Sequence, residues 1–149
     1  MNSDYLAAEP AIIARLESEL QGVTILTAPD LAGVAQGRQV TPAVIVLYAG
    51  DQVPGGDAVD QGDYHRITQR WMTVVSVRSA KGQHSGEGVR EAAGPLITKV
   101  IQALGGWKPA KGFGRMVRES APRPAFTPGG YGYFPLQWGI DLLTNQSVD

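Results

Sequence analysis

The sequence predicts an α+β domain over residues 1–149. Two helices pack on one face of a largely antiparallel or mixed β-sheet, in the order α-β-β-β-α-β-β. Three observations carry this reading. Residues 89–104 repeat apolar side chains at helical spacing without a miss. Residues 66–79 and 134–142 alternate with the period of a strand. The 19 glycines and 10 prolines gather in long connections and at helix ends rather than in a repeat.

Residues 9–21 form the first expected helix. Pro10 suits a first turn, where its missing N–H would be unpaired anyway, and Ile12, Ile13, Leu16 and Leu20 share a face before the stop at Gly22. Whether Tyr5 and Leu6 extend it backwards, with Pro10 as a kink, stays open. A short strand is expected at 23–26 and a loop at 28–40. The run 43–49 is apolar on both alternating faces, the pattern of a central strand covered on both sides. Residues 50–62 have the composition of an exposed, mobile loop, with three acids near its end.

In the strand 66–79, Ile67, Trp71, Val75 and Val77 face one way. Arg66, Thr68, Arg70, Ser76 and Arg78 face the other with Met72 and Val74, as in a sheet covered on one side. A second flexible loop spans 80–88. The clearest element, from about 88 to 104, carries Val89, Ala92, Ala93, Leu96, Ile97, Val100, Ile101 and Leu104 on its apolar face. Pro95 inside it predicts a bend or a cost of about 3 kcal/mol. A short strand at 115–119, a loop at 121–132, a last strand with Phe134, Leu136, Trp138, Ile140 and Leu142 on one side, and a polar tail at 145–149 complete the chain.

A chain of 149 residues is long enough to bury a core without covalent staples. It contains no cysteine, so disulfides, thiol nucleophiles and Cys-ligated zinc or iron–sulfur sites are excluded. The longest apolar run, 43–49, is too short to span a bilayer, and the first residues lack a signal-peptide pattern; a soluble, cytoplasmic domain is expected. The net charge of −1 conceals an asymmetry: residues 1–65 hold nine acids and two bases, a net of −7, and residues 66–149 eleven bases and five acids, a net of +6. Six of those bases (Lys99, Lys108, Lys111, Arg115, Arg118, Arg123) fall within 99–123, with Glu119 as the one acid there.

Catalytic chemistry finds no constellation. His65 follows Asp57, Asp60 and Asp63, but the spacing matches neither an EF-hand nor a zinc helix, and a solvated acidic loop accounts for it better. His84 and Ser85 lack the glycines of a nucleophile elbow. Gly112-Phe113-Gly114 and Gly129-Gly130-Tyr131-Gly132 lack the strand–helix setting of a phosphate loop. The expectation is therefore a non-enzyme without metal or cofactor. The basic segment with Trp107 and Phe113 fits a nucleic-acid-binding module. Its rival use is electrostatic: acidic and basic faces of two copies meeting head to tail, a contact that closes into a ring.

Several segments together resemble a known family: the first amphipathic helix, Thr41-Pro42-Ala43-Val44-Ile45-Val46-Leu47-Tyr48-Ala49-Gly50, the strand Gln69-Arg70-Trp71-Met72-Thr73-Val74-Val75-Ser76-Val77, the helix exit Ala103-Leu104-Gly105-Gly106-Trp107-Lys108-Pro109 and the final Tyr133-Phe134-Pro135-Leu136-Gln137-Trp138. Over residues 5–144 the chain is similar to the tail terminator (tail completion) proteins of long-tailed, Mu-like bacteriophages. The resemblance implies a structural virion protein: a hexameric ring on the head-proximal end of the tail tube that stops tube polymerisation and docks the neck. Its implied partners are its own copies, the tube protein, a head–tail connector or neck protein, and genome DNA that passes through the lumen without being read. The loops 50–62, 81–88 and 121–132 are the expected contact regions, with Asp57, Asp60, Asp63, Lys81, Arg123, Phe126, Tyr131 and Tyr133 as candidate interface residues. Another neck or tail component, such as a connector, is the nearest alternative; the nucleic-acid module lies further off.

Overall fold

In a computed structural model of the chain, the described residues are 4–30, 40–53, 64–80 and 86–145. Among them, two helices and a six-stranded sheet form the predicted α+β arrangement. Helix α1 (Ala8–Glu19) buries Ala8, Ile12 and Leu16, spaced four apart on one face. Pro10 lies in its first turn, and Tyr5 and Leu6 stay outside the helix in the preceding turn. Strands β1 (Thr24–Thr27), β2 (Ala43–Gln52) and β3 (Tyr64–Arg78) follow, with a single 3-10 turn (Ala28–Asp30) after β1. Helix α2 (Glu87–Leu104) runs without interruption through Pro95, which sits on its exposed side. Strands β4 (Val117–Glu119), β5 (Ala125–Thr127) and β6 (Tyr131–Asn145) end the order.

The sheet order is β1-β2-β3-β6-β4, and β5 also pairs with β6. β1 runs parallel to β2, and every other pairing is antiparallel. β3 and β6 pair over fifteen positions and form the spine. On β3 the odd positions Ile67, Gln69, Trp71, Thr73, Val75 and Val77 are all buried, while Arg66 and Arg78 on the other face are exposed. α2 packs on β3, β6 and α1, and α1 packs on β1 and β2, so both helices cover this one face. Trp71 and Trp138 lie fully buried beneath them. Each large aromatic takes roughly 150–250 Å² out of water, a contribution of about 4–6 kcal/mol at ~25 cal/mol per Å².

Two expectations need correction. β2 is not covered on both sides throughout: Ala43, Val44, Ile45 and Val46 are buried, but the strand continues to Gln52 with Tyr48, Ala49, Asp51 and Gln52 exposed. The reason is β1, which pairs only with those first four residues and leaves β2 outermost beyond them among the described residues. The stretch 121–132 is not one loop, since β5 and the start of β6 form a hairpin inside it. The hairpin turns through Pro128-Gly129-Gly130. Gly130 has φ +83°, and a Cβ there would stand 2.2 Å from the Ser79 carbonyl oxygen. Only glycine lets the two backbones meet, and Ser79 N–H donates to Gly130 O at 2.8 Å.

The outer edge of β6 carries an irregular cover. Gly114 N–H donates to Asp141 O, β4 pairs with 137–139, and β5 pairs with 131–133. Between β4 and β5, five residues (120–124) span the three β6 positions 134–136, a two-residue bulge that contains Pro122 and Pro124.

Candidate functional site

One row of the sheet organises the surface. Tyr48 on β2 stands opposite Trp71 on β3, Trp71 opposite Trp138 on β6, and Trp138 opposite Arg118 on β4. Four neighbouring strands span roughly 14 Å at ~4.8 Å per step, so the row carries an exposed group at each end and two buried indoles between. The Tyr48 and Trp71 rings are 5.0 Å apart and tilted by 54°, and the Arg118 guanidinium lies 5.5 Å from the Trp138 ring. The buried indoles are satisfied within the sheet. Trp71 Nε1 donates to Gln69 Oε1 at 3.1 Å, and Trp138 Nε1 to Thr73 Oγ1 at 3.0 Å. Gln69 Nε2 in turn donates to the Tyr5 carbonyl at 2.7 Å, which fastens the N-terminal turn to the sheet.

The β2 end is acidic and apolar. The Tyr5 hydroxyl donates to Asp51 Oδ2. Burial, and then this hydrogen bond, push the Tyr5 phenol well above the ordinary tyrosine value. Burial likewise raises Tyr48, opposed by a hydrogen bond with Tyr5 and reinforced by Asp51. Both phenols stay neutral beside an exposed carboxylate. Leu6, Tyr48 (38 % exposed) and Val53 (56 %) leave apolar surface at this edge.

The β4 end is basic and apolar. After α2, Gly106 N–H donates to Met116 O and Met116 N–H to Trp107 O, at 2.8 and 2.9 Å, which folds the chain back on itself. This hairpin buries Phe113 and Met116 and turns Lys108, Lys111, Arg115 and Arg118 outward, with Val117 61 % exposed. Arg115 donates to the Gly106 carbonyl at 2.7 Å. Among the described residues Arg15–Glu19, Arg66–Asp141 and Arg70–Glu119 form ion pairs, and none of these four cations does. Val117 and Arg115 line a cavity on the uncovered face with Arg70, Glu119 and Asp141, and there Asp141 and Glu119 neutralise Arg66 and Arg70 at 3.3 and 3.0 Å.

Of the residues the sequence singles out, Asp57, Asp60, Asp63 and Lys81 lie outside the described residues, as do His84 and the side chain of His65. The other four are found at the β5–β6 hairpin. Arg123 is exposed in the bulge before β5. Phe126 is 51 % exposed and meets Phe134 edge to face at 5.8 Å. Tyr131 is half-buried under the Arg78 guanidinium, 5.1 Å from its ring, and Tyr133 is half-buried opposite Ser76. They are grouped, but at a different part of the sheet from the Tyr48–Arg118 row.

Of Trp107 and Phe113, the aromatic half of the nucleic-acid reading, Phe113 is buried and Trp107 is partly buried. Trp107 packs against the core with Arg15 5.4 Å over its ring. Arg15 also donates to the Ala103 carbonyl in the last turn of α2, at 3.0 Å, where a cation suits the helix dipole. Sequence reasoning missed Tyr48, Asp51 and Val117 as surface features and Gln69 and Thr73 as core partners. The signal for the last two was a polar residue at each odd position beside Trp71.

No helix among the described residues is long and apolar enough to cross a membrane. No curated protein matches the chain. The family described as phage tail terminator protein matches residues 1–146, nearly the full length, and the chain therefore belongs to the phage tail terminator family, structural proteins of the viral tail.

Proposed function

We propose that the protein forms a ring on the head-proximal end of the tail tube, ends tube polymerisation and offers a docking surface to the neck. Membership of the tail terminator family across residues 1–146 is the observation that carries this reading. The opposed edges of the sheet support it: a ring of identical copies needs two different surfaces per copy that fit each other, and an acidic and a basic edge meet that requirement. Arg123, Phe126, Tyr131 and Tyr133 at the β5–β6 hairpin, and Asp57, Asp60, Asp63 and Lys81 in the connections beyond the described residues, are the proposed contacts to tube and neck. Genome DNA is expected to pass the ring without sequence readout, and the virion tail is the place of action.

Native mass spectrometry and negative-stain electron microscopy of the purified protein test the reading. A discrete ring that halts elongation of purified tube protein is the expected result. A monomer that binds DNA with a steep salt dependence would overturn it in favour of the nucleic-acid reading.

A further inference from the structure

We infer that the acidic β2 edge of one copy seats against the basic β4 edge of the next, and that these two patches form the contact between neighbouring copies. This rests on the ring reading and names the faces it requires.

The two patches occupy opposite ends of the same sheet row, Tyr48–Trp71–Trp138–Arg118. They lie three strand steps apart within one molecule, at opposite ends of the row, as a head-to-tail contact demands. Both ends are open among the described residues. β1 stops pairing at Val46, and β4 is the last strand at its level. The chemistry is complementary in two respects. Asp51 stands at one end, and Arg115 and Arg118 at the other, without an ion-pair partner among the described residues. Each patch also has an exposed valine, Val53 at the acidic end and Val117 at the basic end, supplemented by Tyr48 and Leu6. Association buries those apolar surfaces beside Asp51 of one copy and Arg118 of the next, the arrangement of an interface core with a polar rim. An isologous dimer through either patch would oppose like charges. A second copy in head-to-tail order is thus the occupant that both patches accept.

Val53→Lys and Val117→Glu test this, because both side chains are exposed and neither replacement disturbs the core. Val53→Lys places a cation where the neighbour's cations arrive, and Val117→Glu places an anion opposite Asp51. Each variant alone is expected to lower the ring population at least about tenfold at matched concentration, in native mass spectrometry, with unchanged far-UV circular dichroism. An equimolar mixture is expected to restore rings, because the lysine introduced in one variant then meets the glutamate introduced in the other around an alternating assembly. Asp51→Lys and Arg118→Glu form a second pair with the same expected pattern. Variants that assemble like wild type, or a mixture no better than its parts, overturn the assignment of faces while leaving the ring itself standing. A wild-type protein that stays monomeric at every concentration overturns both.

Discussion

Replacing Gln69 by leucine removes the amide that links the buried Trp71 indole to the N-terminal turn. Gln69 is fully buried; its oxygen accepts from Trp71 Nε1 at 3.1 Å, and its nitrogen donates to Tyr5 O at 2.7 Å. Leucine fills most of the volume but strands the indole N–H in a water-free core, at about 1–3 kcal/mol. The Tyr5 carbonyl lies close enough to the surface for water to replace part of its lost bond, so the total is about 2–3 kcal/mol. For a chain of this length each kcal/mol moves the melting temperature by about 2–4 °C, which gives a fall of roughly 4–12 °C in a circular-dichroism melt. The double variant Gln69→Leu, Trp71→Phe removes the stranded donor as well, and its destabilisation should fall short of the sum of the single changes by about 1 kcal/mol or more in urea unfolding. A Gln69→Leu protein within about 0.5 kcal/mol of wild type, or strictly additive changes, would refute the reasoning.

Gly130→Ala is expected to destabilise by about 2–4 kcal/mol in urea unfolding, because it combines φ +83° with a Cβ 2.2 Å from Ser79 O. Pro95→Ala should stabilise by about 1–3 kcal/mol, seen as a higher melting temperature, since α2 regains an interior N–H donor at an exposed position; a neutral or negative change would mean that the helix is built around the ring. Stability should also fall on acidification below about pH 4, in part through Asp30. The Thr27 N–H, and then the Thr27 hydroxyl, hold that carboxyl below its usual value. Its contribution is present above the unfolded pKa and is lost as the pH drops through the folded one. Asp30→Ala should flatten that acid limb in pH-dependent melts.

Much of the fold was legible because its periodicity is carried by long elements. The eight apolar residues of α2 identify the helix without tertiary information, although Ala92 proves exposed because the covered stripe is narrower than the apolar one. The alternation of Ile67, Trp71, Val75 and Val77 identified the helix-covered face of β3. β5 was illegible: three residues hold no period, and the prolines and glycines around Phe126 read as a loop. The double-sided apolar run of β2 suggested a central strand because composition cannot say where the neighbouring strand ends. The proposed contact edges were hidden for a related reason. Tyr48 and Arg118 are seventy residues apart in sequence and acquire a relation only through the registers of three strand pairs.

The irregular cover on β6 bears on which chains can pair with that strand. A fifteen-residue strand with a bare flank would be a template for any stray extended chain, its own nascent copies included. Here that flank is lined by a segment that falls out of step between β4 and β5, where two prolines bring no donor to offer outward. Sheet growth on that side is interrupted at the bulge, and recognition there falls to side chains, which discriminate between partners where bare backbone would not.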